Sequence, residues 1–320
     1  MTSALQSALD PAGPAAARFE ALFWLFTVVC GLVFLAVLLV LLWAAFRRRE
    51  RGGEPVPYPD NAQERRLNRV VGGATGLTAL ILLVFVVASF ATDRGMASLT
   101  AQQGVEIKVI GHQWWWEINY QDPNPSRSFT TANEIHIPVG VPVQVSLTSP
   151  DVIHSFWVPS LNGKEDLIPG RENLTTITAD RPGTYRGQCA EYCGLQHAHM
   201  AFLVVAEPKE AFEAWRERQL RPAPEPAGEV EKRGRDTFMS GPCVMCHKVR
   251  GTMAGGSLGP DLTHLAGRQT LASGTIPNTP GHLAAWIEDP QHVKPGNRMP
   301  ITQIPPPDMN PLLAYLETLE

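Results

Sequence analysis

The sequence predicts a multi-domain chain: an N-terminal two-helix transmembrane hairpin, an all-β Greek-key sandwich, and a small all-α module at the C-terminus. Three observations carry this. Residues 21–46 and 70–92 hold no charged side chain. From residue 105 the pattern changes to short alternating runs broken by proline and glycine. Beyond a proline-alternating stretch at 221–228, short helical patterns resume between Gly and Pro loops.

Composition excludes some classes. A net charge of −4 and a pI near 6.2 rule out a nucleic-acid binder that works by bulk basicity. Hydrophobic residues make up 44% and the mean hydropathy is −0.08, so most of the chain lies outside a membrane. The 27 glycines and 28 prolines exceed ordinary usage, as expected for many turns and a linker.

The elements follow in order. Residues 1–18 form a tail with Arg18 as its single cation. It lacks the basic segment of a cleaved signal peptide. The uncharged run 21–46 is about 39 Å of helix, enough to cross a ~30 Å hydrocarbon core, and 70–92 is about 35 Å. Helices are expected over 19–46 and 70–92. The loop 47–69 carries Arg47, Arg48, Arg49, Arg51, Arg65, Arg66 and Arg69, which the positive-inside rule places in the cytoplasm, with both termini outside. Cys30, within the first span, reads as a helix-contact residue.

Residues 93–220 form the β domain. Runs rich in Val, Ile, Thr and aromatics lie at 105–110, 114–120, 134–137, 143–148, 174–178, 184–187 and 202–205. A helix over 209–220 follows. Residues 221–229 form a stiff Pro-rich spacer. The module 230–320 predicts helices over 229–239, 281–289 and 308–320, and about 90 residues is marginal for an unaided core.

Two motifs carry chemistry. Cys189-Ala-Glu-Tyr-Cys193-Gly-Leu-Gln-His197-Ala-His-Met200 gathers two thiols, an imidazole and a thioether in one loop, with His154 upstream. In an oxidising compartment, closely spaced cysteines stay as thiolates only when something binds them, although a local disulfide is the alternative. Soft thiolates with imidazole and thioether suit copper better than structural zinc. A single blue-copper centre leaves one thiol unexplained. Two thiolates can instead bridge two copper ions, each completed by one histidine and a weaker donor: Met200 for one, a backbone carbonyl such as that of Glu191 for the other. His199 is unassigned; His112 and His136 read as structural.

Cys243-Val-Met-Cys246-His247 is the covalent haem c signature, two thiols for the vinyl groups and a proximal histidine. His264, His282 and His292 are scattered singly, against a zinc knuckle. Met299 is the best candidate for the sixth ligand, with Met239, Met245, Met253 and Met309 read as packing residues.

The hairpin, Gly111-His-Gln-Trp-Trp-Trp116, Asp151-Val-Ile-His154-Ser, Val158-Pro-Ser, Ile168-Pro-Gly-Arg171 and the cysteine loop together resemble subunit II of haem-copper cytochrome c oxidases across residues 19–220. That resemblance implies a cupredoxin fold and the dinuclear copper A centre, with ligands at His154, Cys189, Glu191 (through its carbonyl), Cys193, His197 and Met200. It also implies a magnesium ion at the Glu191 side chain where subunit I docks, and an electron route past Trp114. Trp115 and Trp116 read as sheet-packing aromatics. The family's proton-path glutamate ahead of the second span has no clear counterpart, and Glu64 is not given that role. Residues 230–320, with Gly259-Pro260-Asp-Leu262 and a later Met-Pro, resemble class I cytochromes c.

The expectation is therefore the fused subunit II of a caa-type oxidase in a bacterial-type plasma membrane. It would pass electrons from haem c to the copper pair and on to haem a of subunit I, for oxygen reduction coupled to proton pumping. Partners would be subunit I, subunit III, the lipid bilayer and an external donor such as a cytochrome c or an upstream respiratory complex, with no nucleic acid. The alternatives are a membrane-tethered electron shuttle or copper-handling protein. Nitrous oxide reductase would need a histidine-rich catalytic domain.

Overall fold

The computed structural model describes residues 6–50, 60–100 and 104–320. Two helices form one unit by themselves, α1 (Pro14–Glu50) and α2 (Asn61–Thr100). Both outrun the expected spans because the flanking polar residues are good helix formers. Asp60 caps α2 by accepting the backbone N–H groups of Ala62 and Gln63 at 2.9 and 2.7 Å. Glu64 therefore lies in the first turn of α2 rather than in a loop. Of the expected loop 47–69, residues 51–59 and with them Arg51 lie outside the described residues. Within the pair, Phe26 stacks on Phe85 with ring centroids 3.9 Å apart, while side chains such as Phe34 and Val86 stay exposed, as lipid-facing residues do.

The second unit holds the tail and everything after the helices. Its β strands are β1 (Val105–His112), β2 (Trp115–Gln121), β3 (Phe129–Ala132), β4 (Glu134–Pro138), β5 (Val143–Thr148), β6 (His154–Trp157), β7 (Glu165–Leu167), β8 (Asn173–Ile177), β9 (Gly183–Cys189) and β10 (Ala201–Glu207). They form two five-stranded sheets, ordered β3-β2-β1-β5-β8 and β4-β10-β9-β6-β7. β1 runs parallel to β5 and β4 parallel to β10, and the remaining pairs are antiparallel. The chain changes sheets at Asn133, whose φ of 61° an asparagine tolerates. Its side chain accepts the Trp116 N–H at 2.9 Å, fixing the corner.

Alternating inward residues, among them Ile107, Val109, Ile118, Val145, Leu147, Tyr185 and Val204, fill the space between the sheets. Trp116 is fully buried and meets Phe202 edge-on at 5.1 Å, while Trp115 stacks on His112 at 4.5 Å, so both pack as expected. His112 and His136 are likewise structural, bonded to Glu117 and Glu207 at 3.1 and 3.2 Å. Residues 7–16 of the tail lie along this sandwich: Ala12 N–H donates to the Ser160 carbonyl at 2.7 Å and Asp180 N–H to the Ala12 carbonyl at 2.7 Å. α3 (Lys209–Leu220) closes one end through Phe212 and Trp215.

The C-terminal module comprises α4 (Glu229–Ser240), α5 (Cys243–Cys246), a small hairpin of β11 (Thr270–Leu271) and β12 (Ile276–Pro277), α6 (Pro280–Glu288), α7 (Pro290–Val293) and α8 (Pro306–Glu317). Phe238 of α4 packs on Tyr315 of α8 over a small core with Val249, Leu283 and Leu312. Met239 and Met309 pack against that core as expected, whereas Met245 and Met253 do not. They are 67% and 98% exposed, because the chain around them runs over the surface. The segment 221–228 is not a free spacer. Ala223 N–H donates to the Arg250 carbonyl at 2.9 Å, and His264 Nε2 sits 3.1 Å from the Arg221 carbonyl.

Candidate functional site

The first site closes one end of the sandwich. Cys189 ends β9, His154 begins β6, and Met200 immediately precedes β10, so the intervening loop hangs from three strands of one sheet. Pairing of Phe156 with Cys189 sets β6 beside β9 and brings His154 to the cysteine loop. The Sγ atoms of Cys189 and Cys193 are unbonded and 3.7 Å apart. His154 Nδ1 lies 3.9 Å from Cys189 Sγ, and His197 Nδ1 lies 3.6 Å from Cys193 Sγ. Met200 Sδ is 3.8 Å from Cys193 Sγ, and the Glu191 carbonyl oxygen is 3.2 Å from Cys189 Sγ. Two sulfurs at the centre, one imidazole beside each and one weaker donor beside each is the arrangement a thiolate-bridged metal pair requires.

The surroundings hold these donors in place. Cys189, Cys193 and Met200 are part of the buried core. His154 is fully buried, and its Nε2–H donates to Asp151 Oδ1 at 2.9 Å, leaving Nδ1 free toward the sulfurs. Burial disfavours the Asp151 carboxylate, but bonds from His154, Gln113 N–H and Val152 N–H outweigh it and hold the carboxyl well below its usual range. Burial likewise disfavours a charged His154, yet Asp151 and Cys189 raise its pKa. The contact with Cys193 depresses the Cys189 thiol, and that contact together with burial raises Cys193. At Gly111 the His154 ring passes so close that a Cβ would lie 2.9 Å from its Cδ2.

Trp114 is coupled directly to this loop: its indole N–H donates to the Cys193 carbonyl at 3.0 Å, and Gln113 Nε2 donates to the same oxygen at 2.8 Å. His199 Nδ1 bonds Gln196 Oε1 at 2.7 Å. The Glu191 carboxylate is partly exposed, 3.5 Å from Lys164 Nζ.

The second site lies on α5. One helical turn sets Cys243 and Cys246 apart by three residues, and His247 follows as its cap, its N–H donating to the Cys243 carbonyl at 2.9 Å. His247 Nδ1–H donates to the Pro260 carbonyl at 2.8 Å, which directs Nε2 outward as a ligand nitrogen. Burial lowers the His247 pKa, keeping the ring neutral for metal binding. A Cβ at Gly259 would meet the His247 ring at 2.8 Å, so this glycine makes room for it. Met299 follows α7 in a loop braced by Gln291 Nε2, which donates to its carbonyl at 2.8 Å, and by Asn297, which accepts its N–H at 2.7 Å. His264, His282 and His292 do not converge. His264 is taken by the Glu320 and Arg221 carbonyls. Among the described residues the cluster suited to a metal is His154, Cys189 and Cys193.

Sequence reasoning left Asp151, Gln113 and Pro260 without roles. Asp151 ties His154 to the Gln113 N–H 38 residues back, Gln113 reaches the Cys193 carbonyl, and Pro260 holds His247, links that spacing does not display.

A two-helix anchor, a cupredoxin-type sandwich with a two-thiolate metal site and a c-type haem module define a membrane-bound electron carrier with two redox modules in series. Residues 123–207 match the family Cytochrome C oxidase subunit II, periplasmic domain, and residues 231–320 match Cytochrome c. Cytochrome c oxidase subunit 2 of Alkalihalophilus pseudofirmus is 34% identical, over 98% of this chain and 91% of that one. The corresponding subunit of Bacillus subtilis is 28% identical over 98% and 92%. The crystal structure of the periplasmic domain of subunit II of cytochrome oxidase of Bradyrhizobium japonicum aligns at 31% identity, covering 37% of this chain and 95% of that one, with a TM-score of 0.35.

The chain belongs to the cytochrome c oxidase subunit 2 family. It is the fused, caa-type form, a two-span membrane protein that carries haem c and copper A and passes electrons from the first to the second and on to subunit I, where oxygen is reduced.

Proposed function

We propose that His154, Cys189, Cys193, His197, Met200 and the Glu191 carbonyl would hold the copper pair, and that Cys243 and Cys246 would attach the haem, with His247 and Met299 as the residues that would bind its iron. When bound, the copper pair and the haem supply one-electron redox chemistry, in which sharing the charge over two metals keeps reorganisation small. The observation that carries the copper assignment is the 3.7 Å separation of two buried sulfurs, each with its own imidazole. The protein's part is to fix these donors. Asp151 orients His154, Pro260 orients His247, and the core around Cys189, Cys193 and Met200 excludes water.

Trp114, bonded to the Cys193 carbonyl, lies on the electron route. The Glu191 carboxylate takes the magnesium ion shared with subunit I. The copper module extends from the end of α2 to residue 220, later than the start at 93 expected from the sequence because α2 runs on to Thr100, and the haem module extends over 230–320. Both termini and both modules lie outside, and the arginine-rich loop lies in the cytoplasm of a bacterial-type plasma membrane. The stitching of residues 7–16 to the sandwich supports this sidedness, because it keeps the tail with the redox modules. Subunit III joins the complex, and a cytochrome c or an upstream respiratory complex donates the electrons.

The purified protein should bind two copper ions per chain and show the multi-line hyperfine pattern of one electron shared by two copper nuclei. Cys193→Ser should lose that pattern and keep its covalent haem. A delocalised signal surviving in the variant, or a single copper or zinc in the native protein, refutes the bridging assignment.

A further inference from the structure

The two redox modules grip each other through buried charge. Lys294 follows α7, five residues ahead of Met299, and is 2% exposed. Its Nζ donates to three backbone carbonyls: Trp114 at 2.7 Å and His199 at 2.7 Å in the copper module, and Ala272 at 3.0 Å in its own. No carboxylate is paired with it among the described residues. Burial pulls its pKa down to about 7, yet only the protonated amine has three N–H groups for three carbonyls.

Around it the contact is continuous. Gln196, next to His197, donates through Nε2 to the Pro295 carbonyl at 2.7 Å. Ser273, at the tip of the β11–β12 hairpin, donates through Oγ to the Ala201 carbonyl at 2.7 Å and accepts the Ala201 N–H at 3.0 Å. Ala272 and Ser273 hold φ of 51° and 60°, a conformation that side chains other than glycine adopt only when their surroundings impose it. Arg298 lies 3.5 Å from Asp151, the brace of His154. At the far end of the interface, buried Glu134 of β4 accepts the N–H groups of Gln269 at 2.6 Å and Thr270 at 3.2 Å. A buried ammonium from one module and a buried carboxylate from the other thus each cap the partner's backbone. Such groups are costly to bury and more costly to strand, so the modules stay together or lose both.

We propose that Lys294 is a positioning residue for haem-to-copper electron transfer, locking the loop that carries Met299 onto the copper loop so that the electron crosses within one docked body rather than after a tethered collision. The transfer moves one electron from ferrous haem, which becomes ferric, to the oxidised copper pair, which is reduced, with no bond made or broken. The inference rests on the assignment of the two redox sites above.

The test uses the full chain with both cofactors. After rapid photochemical reduction of the haem, copper reduction is followed optically in solutions of rising viscosity. In the native protein the rate should not depend on viscosity. Lys294→Met keeps the length of the side chain and removes the charge. It should leave the haem and copper spectra and the haem midpoint potential unchanged, slow the transfer by about 10²-fold beyond what the measured change in copper potential accounts for, and make it viscosity-dependent. Amide hydrogen exchange at Ala201, Gln269 and Thr270 should rise in the variant, with or without cofactors. Should Lys294→Met fail to assemble, Glu134→Ala loosens the same interface from a position that touches neither site, and should produce the same viscosity dependence. A native rate that varies with viscosity, or a variant rate unchanged with both spectra intact, overturns the inference. Absence of the haem or delocalised copper spectrum from the native protein instead defeats the underlying site assignment, and with it this one.

Discussion

Asp151 braces the copper loop from three directions: Oδ1 accepts from His154 Nε2–H and Val152 N–H, Oδ2 accepts from Gln113 N–H at 2.8 Å, and Arg298 lies outside it. Its folded pKa is below the ordinary carboxylate value of about 3.9, so the stability it contributes is complete above that pH and is lost as pH falls through the folded value. Asp151→Asn keeps the shape but removes the charge and turns one accepting oxygen into a donor. We expect copper affinity to fall by about 10–100-fold, read by competition with a chelator, with haem content unchanged; undiminished affinity would show that the ring needs no such partner. The proposed ligands Cys189, Cys193, His197 and Met200 stand out in the sequence because they sit within one short loop. Asp151 appeared in the sequence only as part of a resemblance, and its role depends on a bond spanning 38 residues to Gln113, which no local pattern reveals.

At the scale of elements, the shape of β1 decides where His154 rests. Gly111→Ala would set a Cβ against that ring, and neither the sheet pairing of Gly111 with Trp116 nor the buried ring can shift freely. The expected cost is about 1–3 kcal/mol of overpacking in denaturant unfolding, together with weakened copper retention; unaltered stability and metal content would mean the ring yields. The strands with clear alternation, such as β1 and β5, were read correctly from the sequence. β3, β6 and β7 were not. β6 is four residues long with three consecutive buried positions, so it has no polar face to alternate with, and β7 is three residues, two of them acidic. The one-turn helices α5 and α7 and the two-residue strands β11 and β12 are too short for any periodicity. Lys294 was illegible for another reason: a lone lysine between a histidine-containing turn and a proline reads as a solvated charge, and its partners are carbonyls brought together only by docking.

For the molecule as a whole, the sequence suggested two modules on a spacer, whereas the structure joins them in one compact unit. The haem module alone buries few large side chains, with Phe238, Leu312, Tyr315 and Leu316 prominent among them. A chain of about 90 residues with so small a core depends on its prosthetic group. Cys243→Ala combined with Cys246→Ala, which prevents covalent attachment, should leave residues 105–207 resistant to limited proteolysis and make 229–320 susceptible. Equal resistance of both regions would show that the helices pack adequately without haem. The tail adds a last consequence. Ala12 is synthesised well ahead of Ser160 and Asp180, which make its resting place. At about 5–20 residues per second those partners leave the ribosome on the order of ten seconds or more later, so for that interval the earlier segment has nowhere to settle, and the seam that fastens it must wait for the sandwich.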